Sequence, residues 1–385
     1  MRAWMALALL ALGVCVAQAF GRFAYGVLLP AIRDDLGISN TAAGAISAVN
    51  VGGYLLGTLG VAWASSRIKL LVVLRVGLLL TAIGLLVAAC ANGPLLLGLA
   101  LLCAGVGGAF VWIPAPIIAA DAMPATHRSM AVGLIGSGIG LGIVFTGFLS
   151  GYVRSRYGDA GWVNVYGVDG VIACVALAGL FLLVRHNQGQ LSSKGGMGGF
   201  GALARMPGWV PLTFAYAAFG FMYLLVIGFL TGRLEDDSGW SASNAAYAFA
   251  LLGVSMVFGG PIAVWWEARL GARQTISAAF ALWCILALVV LSGWALPTLA
   301  AIALLGMLFA ALPSLITLYV VKNTNSNDYG PAYAAITLAF GIAQTVSPQA
   351  GGLIADLTGS FAGLFLLSSA VGALGFVAAR KLPAS

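Results

Sequence analysis

The chain has 385 residues, 61% of them hydrophobic and only 8% Asp, Glu, Lys or Arg, where an ordinary soluble domain carries roughly 25% charged residues. This composition excludes a soluble globular enzyme, and no stretch is polar enough to form a separate soluble domain, a charged tail or a nucleic-acid-binding patch. The formal net charge of +7 is assigned to loop lysines and arginines that set membrane topology, not to a polyanionic partner.

A bilayer core takes ~20 apolar residues per helical crossing. Apolar runs occupy 4–32, 42–64, 70–91, 94–119, 129–152 and 163–184, then 208–231, 243–266, 275–294, 297–320, 331–354 and 360–379. The spacing predicts twelve transmembrane helices in an all-α polytopic membrane protein. A barrel is excluded, because the runs lack polar/apolar alternation and are about twice as long as a strand crossing needs. The longest polar interval, 185–207, holds Arg185, His186, Asn187, Lys194, Arg205 and the stretch Gly195-Gly196-Met197-Gly198-Gly199. It predicts an N-terminal six-helix bundle over 1–184, a cytoplasmic linker over 185–207 and a C-terminal six-helix bundle over 208–385.

The first run carries Arg2 and then Ala17-Gln18-Ala19, the small-x-small pattern of a signal-peptidase site. The apolar run resumes through Phe23 to Ile32, so one long spanning helix is the preferred reading.

With a cytoplasmic amino terminus, that side holds Arg2, Arg67, Lys69, Arg75, Arg128, Arg185, Lys194, Arg205, Arg269, Arg273, Lys322, Arg380 and Lys381. The opposite side holds Arg33, Arg154, Arg156 and Arg233, and the remaining Arg22 lies inside a helix. This bias predicts both termini in the cytoplasm of an inner-membrane protein. Arg75, about a turn and a half into the third helix, is expected to snorkel to the interface.

The two halves repeat. Phe23-Ala24-Tyr25 recurs as Phe221-Met222-Tyr223, and Asp35, Gly37, Ser39, Trp63 and Arg67 recur as Asp237, Gly239, Ser241, Trp265 and Arg269. Gly107, Phe110, Pro114 and Ile117 return as Gly306, Phe309, Pro313 and Ile316, and Gly140 and Gly151 as Gly341 and Gly352. Six helices separate the copies, so both keep one orientation and the repeat is parallel, about an axis normal to the membrane. Carriers of this design place their site at the midplane between halves.

This arrangement resembles the major facilitator superfamily over essentially the whole chain. The stretch Phe20-Gly21-Arg22-Phe23-Ala24-Tyr25-Gly26-Val27-Leu28-Leu29-Pro30, followed by Asp34-Asp35-Leu36-Gly37-Ile38-Ser39, is most similar to its bacterial YbfB/YjiJ-like branch. The resemblance implies two parallel six-helix bundles that rock about a central site. Departures are visible. The loop between helices 2 and 3 is reduced to Trp63-Ala64-Ser65-Ser66-Arg67-Ile68-Lys69, without Asp, while the second copy, Trp265-Trp266-Glu267-Ala268-Arg269-Leu270-Gly271-Ala272-Arg273, keeps the Arg-x-Gly portion. Helix 4 has Leu101 where many proton-coupled members carry arginine, and helix 5 has Gly147 where drug antiporters show Gly-Pro. These losses argue against proton-driven drug antiport.

Arg22 lies about ten residues, or ~15 Å, from the outer end of helix 1 and therefore near the midplane. α-Helical spacing puts Gln18, Arg22, Tyr25 and Leu29 on one stripe, and the repeat matches Gln18 to Tyr216 and Tyr25 to Tyr223. Of the acids, Asp34, Asp35, Asp159, Glu235, Asp236, Asp237 and Asp356 fall at the outer face and Asp121, Glu267 and Asp328 at the inner one. Asp169, on helix 6, is intramembrane; a structural place near the outer interface is expected for it in preference to a pair with Arg22. An arginine without an internal counter-ion calls for an anionic substrate, since a guanidinium grips a carboxylate through two parallel hydrogen bonds. The competing reading is a structural lock in which Arg22 bonds helix-end carbonyls or Gln344.

The expected substrate-contacting set is Arg22, Gln18, Tyr25, Asn50, Tyr54, Trp112, Tyr216, Phe219, Tyr223 and Gln344. Ser347 is an added polar wall candidate and Tyr247 an aromatic one, each aromatic also readable as packing. Arg67 and Arg269, in the two copies of the helix 2–3 loop, and Gly140, Gly147 and Gly151, on helix 5, are the expected gating positions. The ladder Gly136-Ser137-Gly138-Ile139-Gly140-Leu141-Gly142 lets helices pack closely and is not a nucleotide loop, having no preceding strand and no Gly-Lys-Ser/Thr. Cys15, Cys90, Cys103, Cys174 and Cys284 show no Cys-x-x-Cys spacing, and His127 and His186 are in loops, so no metal, cofactor or enzyme chemistry is expected.

The expected function is secondary transport of a small organic anion, carboxylate-bearing, by a monomer in the lipid bilayer. Proton symport is left open. The alternatives are efflux of amphipathic or neutral compounds and, in a different class, a non-transporting receptor or assembly factor.

Overall fold

The computed structural model describes residues 2–64, 67–184, 199–325 and 328–383. Twelve long helices run through the described residues. In the first half they are α1 (Ala3–Leu36), α2 (Asn40–Ala64), α3 (Leu70–Ala88), α4 (Pro94–Ala122), α5 (Arg128–Tyr157) and α6 (Trp162–Leu183). In the second they are α7 (Trp209–Asp237), α8 (Ala242–Leu270), α9 (Ala272–Val290), α10 (Ala295–Asn323), α11 (Tyr329–Thr358) and α12 (Ala362–Arg380). No strand occurs among the described residues. Eleven of the twelve are long and apolar enough to cross a membrane. The exception, α11, has 30 residues and ample length, but it dilutes its apolar surface with Thr337, Gln344, Thr345, Ser347 and Gln349. Gln344 and Ser347 are buried where α11 packs on α7 and α2, Thr337 and Thr345 are partly buried, and Gln349 is exposed.

Within the first bundle α4 nests against α2 and α3; within the second, α10 nests against α8 and α9. The bundles meet through α2 on α11, α5 on α8 and α1 on α7. The internal repeat is visible in side-chain geometry. Arg67 lies over the Trp63 ring at 4.4 Å, and Arg269 over Trp265 at 3.9 Å.

α1 runs unbroken through Ala17-Gln18-Ala19, but not as one α-helix. It is α-helical over Arg2–Val14, π-helical over Cys15–Phe23 and α-helical again over Ala24–Leu36. A widened turn loosens the backbone ladder, and in a bilayer loosened polar groups must find partners inside the protein. Asn50 of α2 supplies one by donating to Gly21 O at 2.9 Å and to Leu101 O at 2.7 Å. Pro30 has no N–H to offer Gly26 O, its i−4 carbonyl. Thr231 of α7 donates to that oxygen at 2.7 Å, so a proline in one bundle is satisfied from the other. α4 breaks at Ile113-Pro114 between its segments Pro94–Trp112 and Ala115–Ala122, where a proline removes one backbone donor, the commonest origin of a sharp kink.

Arg75 reaches toward the end of the first bundle near the amino terminus, donating to the C-terminal carbonyls of α6, Leu180 O at 3.0 Å and Val184 O at 2.6 Å, and lies over Phe181. Unpaired helix-end carbonyls attract a cation. Asp169 is fully buried within the first bundle, level with the last turn of α3, where a Cβ on the adjacent Gly170 would lie 3.3 Å from Leu86 N. Part of the 185–207 interval is a helix, Gly199–Arg205, tied to the start of α11 by an Arg205–Asp328 ion pair of 2.6 Å. Residues 185–198 lie outside the described residues, as do Ser65 and Ser66.

Candidate functional site

The π-helical segment of α1 delivers Arg22 to the seam between the bundles. Its guanidinium donates to Tyr223 Oη of α7 at 2.9 Å and to Gln344 Oε1 of α11 at 2.5 Å, and it lies over the Tyr54 ring of α2 at 4.8 Å. Tyr223 in turn donates to the same Gln344 oxygen at 2.8 Å. No carboxylate pairs with Arg22 among the described residues. Its Nε is buried and has no hydrogen-bond partner. A pocket opens beside it, lined by Arg22, Phe23, Ser47, Asn50, Leu224 and Gly228 among others.

The wall facing Arg22 is aromatic and comes from the second bundle. Tyr223 stacks with Phe309 at 5.1 Å, Phe219 at 5.2 Å and Phe340 at 5.9 Å, and Tyr216 stacks with Phe340 at 4.6 Å. Trp283 meets Phe219 edge-on, completing a wall whose rings prefer offset or edge contacts. Phe309, Phe340 and Ser47 escaped the sequence reading. For Phe309 a signal existed, since it is the repeat partner of Phe110; Phe340 and Ser47 carry no local mark.

The predicted set divides. Arg22 meets Tyr54, Tyr223 and Gln344, and Phe219 and Tyr216 belong to the ring wall behind Tyr223. Asn50 lines the pocket beside Arg22, which the other five do not line, and both hydrogens of its amide are committed to backbone. Gln18 is turned to α4, donating to Gly108 O at 3.0 Å, and Tyr25 to α2, donating to Ala43 O at 2.8 Å. The single stripe expected from α-helical spacing is therefore not formed, because π-winding changes the angle between successive residues. Trp112 ends the first segment of α4, half-buried against the core. Ser347 donates to Phe221 O and knits α11 to α7. Tyr247 meets Phe148 where α8 crosses α5, in the bundle boundary but apart from the Arg22 cluster.

Gly140, Gly147 and Gly151 share the face of α5 that meets α8. A Cβ at Gly140 would fall 2.8 Å from Gly253 O, one at Gly147 2.8 Å from Ala246 O, and one at Gly151 2.6 Å from the Tyr247 ring. Gly136 and Gly133 continue the same stripe toward the chain termini, and there a Cβ would meet nothing within 4 Å. The α2–α11 seam behaves alike: Gly44 and Gly352 are crowded by the opposite backbone, whereas Gly330 is open. The bundles are thus closed at the end distal to the termini and diverge at the proximal end.

Charged side chains fasten the distal end, a feature the sequence reading did not anticipate when it placed these acids at an outer face. Arg154 of α5 binds Glu235 of α7, and Arg33 of α1 binds Asp236 of α7. Asp356 of α11 accepts from Asn40 N at 3.0 Å and Thr41 N at 2.7 Å, capping the start of α2. Both ion pairs that join the bundles among the described residues are at this end. Arg67 and Arg269 lie at the proximal end, each on its own tryptophan.

The model of a family described as "Uncharacterised MFS-type transporter YbfB" matches residues 14–380. No curated protein matches the chain. Among solved structures, a bacterial homolog of the human lysosomal transporter Spinster, inward-facing and occupied, aligns with a TM-score of 0.79 at 15% identity over 97% of this chain and 94% of that one. A nucleoside transporter aligns with a TM-score of 0.82 at 13% identity, covering 99% and 100%. A variant of the E. coli fucose:proton symporter aligns with a TM-score of 0.66 at 16% identity, covering 100% of both. At these identities the likeness is one of fold.

Proposed function

From its membership of the YbfB-type family of MFS transporters, to which the chain belongs, we propose that this secondary transporter carries a small, carboxylate-bearing organic anion. The supporting observation is Arg22, a guanidinium at the seam between the bundles whose hydrogen-bond partners, Tyr223 and Gln344, are neutral. A charge at membrane depth is costly and is kept where it functions. A substrate carboxylate would replace the Gln344 and Tyr223 oxygens, engage the guanidinium through two parallel bonds and supply the missing negative charge.

The route follows from the seam. Tyr223 and Gln344 belong to α7 and α11, so releasing them from Arg22 loosens the second bundle from the first at the midplane. The distal fastenings then give way as the proximal end closes, moving the site from one side of the membrane to the other. The proposed division is 1–184 and 208–385 for the moving bundles, with 185–207 as the connection. The count of basic residues supports both termini in the cytoplasm, and an inner-membrane location and a monomer are part of the same proposal.

The names of two structural neighbours print fucose and nucleoside as those proteins' substrates. A neutral substrate of that kind would leave Arg22 uncompensated here. The second reading, efflux of amphipathic compounds, is favoured by the continuous ring wall of Phe219, Phe309 and Phe340.

The test is a thermal-shift screen of detergent-purified protein against organic anions, repeated with Arg22→Ala, since a ligand that binds the folded state raises apparent stability. A carboxylate that stabilises the native protein and loses its effect in Arg22→Ala is expected. Stabilisation by neutral amphiphiles alone, unchanged in the variant, would overturn the reading.

A further inference from the structure

α6 packs on α1, α3 and α5 of its own bundle, away from the seam where Arg22 lies. Asp169, about two turns from the distal start of α6, is fully buried, and neither of its carboxylate oxygens has a hydrogen-bond partner among the described residues. Tyr166, one turn earlier on the same face, is equally buried and its hydroxyl is also unpartnered. No lysine or arginine forms an ion pair with Asp169 among the described residues. An ionised carboxylate without a protein donor or cation is among the least tolerable groups a membrane interior can hold, and its usual relief is to take up a proton.

The surroundings offer no other relief. From α1, Cys15 and Tyr25 are the titratable groups within electrostatic reach of the Asp169–Tyr166 pair, and the Tyr25 hydroxyl is spent on Ala43 O. From α3, Arg75 is bound to carbonyls about three turns further along α6. From α5, Arg154 is committed to Asp159 and Glu235 at the distal end.

We propose that Asp169 is a proton-binding site whose occupancy is linked to the rocking of the bundles: the proton is held in the distally closed form and passes to water when α1 shifts against α6. The connecting element is the π-helical segment of α1. Cys15 at its start lies toward Asp169, and Arg22 near its end reaches the second bundle. Recovering α-helical winding there removes one residue's worth of register, about 100° of rotation at 3.6 residues per turn. Such a change turns Arg22 and displaces the backbone that seals Asp169 together. Because the distally closed form binds the proton more tightly, raising the pH must favour the other form. This site does not depend on the identity of the transported substrate.

The experiment needs no substrate. Purified protein in lipid vesicles would be examined by infrared difference spectroscopy for the C=O stretch of a protonated carboxyl, and by distances between spin labels placed distally on α2 and α11. Two results are expected: a protonated-carboxyl band at neutral pH that is lost in Asp169→Asn, and a label separation that grows between neutral and alkaline pH in the native protein but stays at its closed value in the variant. The comparison matters because Glu235, Asp236 and Asp356 at the distal end also titrate. Absence of the band from the folded native protein would overturn the proposal, as would a pH response of undiminished size in Asp169→Asn.

Discussion

Arg154 presents two terminal nitrogens to the two carboxylate oxygens of Glu235, at 2.7 and 2.8 Å, and so joins α5 to α7 across the bundle boundary. The arginine side chain is only 3% exposed. Asp159 remains on Arg154 at 2.6 Å, so Glu235→Gln removes one of two carboxylates and weakens charge-assisted hydrogen bonding by about 1.5–3 kcal/mol, less than a fully orphaned buried charge would cost. Since that cost falls only on the distally closed form, the variant is expected to shift the conformational balance by roughly ten- to a hundredfold toward distal opening. Spin-label distances across α5 and α8 check it; an unchanged distribution would show that the pair does not fasten the gate.

Arg22→Lys separates charge from geometry. The ammonium keeps the positive charge but loses the planar fork. Arg22→Ala is expected to weaken anion binding by ~10²-fold, taking about 1.5–3 kcal/mol for a hydrogen bond to a charged group, with Arg22→Lys intermediate. Tyr223→Phe keeps the ring stack and loses the hydroxyl that accepts from Arg22 and donates to Gln344; because the substrate carboxylate takes over that place on the guanidinium, its effect on anion binding should stay below about tenfold. Titrations of the ligand found by thermal shift measure all three.

The glycine stripe on α5 gives a positional contrast. Gly147→Val and Gly140→Val push side chains into the α8 backbone and are expected to lower thermal stability and slow transport. Gly133→Ala and Gly136→Ala, on the same stripe where the bundles diverge, should be stability-neutral or gain slightly from helix propensity, up to about 1 kcal/mol each. Equal losses at all four positions would contradict the divergence of the bundles.

Thr231 and Pro30 form a testable cycle. Thr231→Val leaves Gly26 O without a donor and should cost about 1–3 kcal/mol. Pro30→Ala supplies a backbone N–H to the same oxygen, so the double variant is expected to recover most of the loss. A non-additive double-mutant cycle in unfolding experiments is the signature; simple additivity would show that the two residues do not share that carbonyl.

Much of the fold is legible because lipid imposes a rule on every crossing: about twenty apolar residues with a self-satisfied backbone. Hence all twelve apolar runs appear as helices, and the Trp63–Arg67 and Trp265–Arg269 stacks repeat as the sequence copies suggested. Helix pairing is not legible in this way. Lipid tails are as apolar as leucine, so hydrophobic periodicity does not say which face of α6 meets which neighbour.

The candidate site shows the same division. The depth of Arg22 follows from counting residues along helix 1, and the lack of an ordinary counter-ion follows from how few acids the chain contains. Of the partners of Arg22, 201 and 322 residues away, Gln344 is the candidate that the structural-lock reading names and is found there, whereas the bond to Tyr223 does not follow from the sequence. Nor does the π-helical winding that turns Gln18 and Tyr25 away from it, since winding depends on whether Asn50 is present to receive a freed carbonyl.

The sequence by itself determined the class of protein, the number of long helices, the parallel repeat and the rarity of charge within the membrane, because each is a property of composition or spacing along one chain. Only the tertiary structure decided that Arg22 bridges to α7 and α11, that distal acids and arginines fasten the two bundles, and that Asp169 is sealed without a partner. These are meetings between side chains far apart in sequence. Their energies depend on what fills the few ångströms around each group, which no pattern along the chain records.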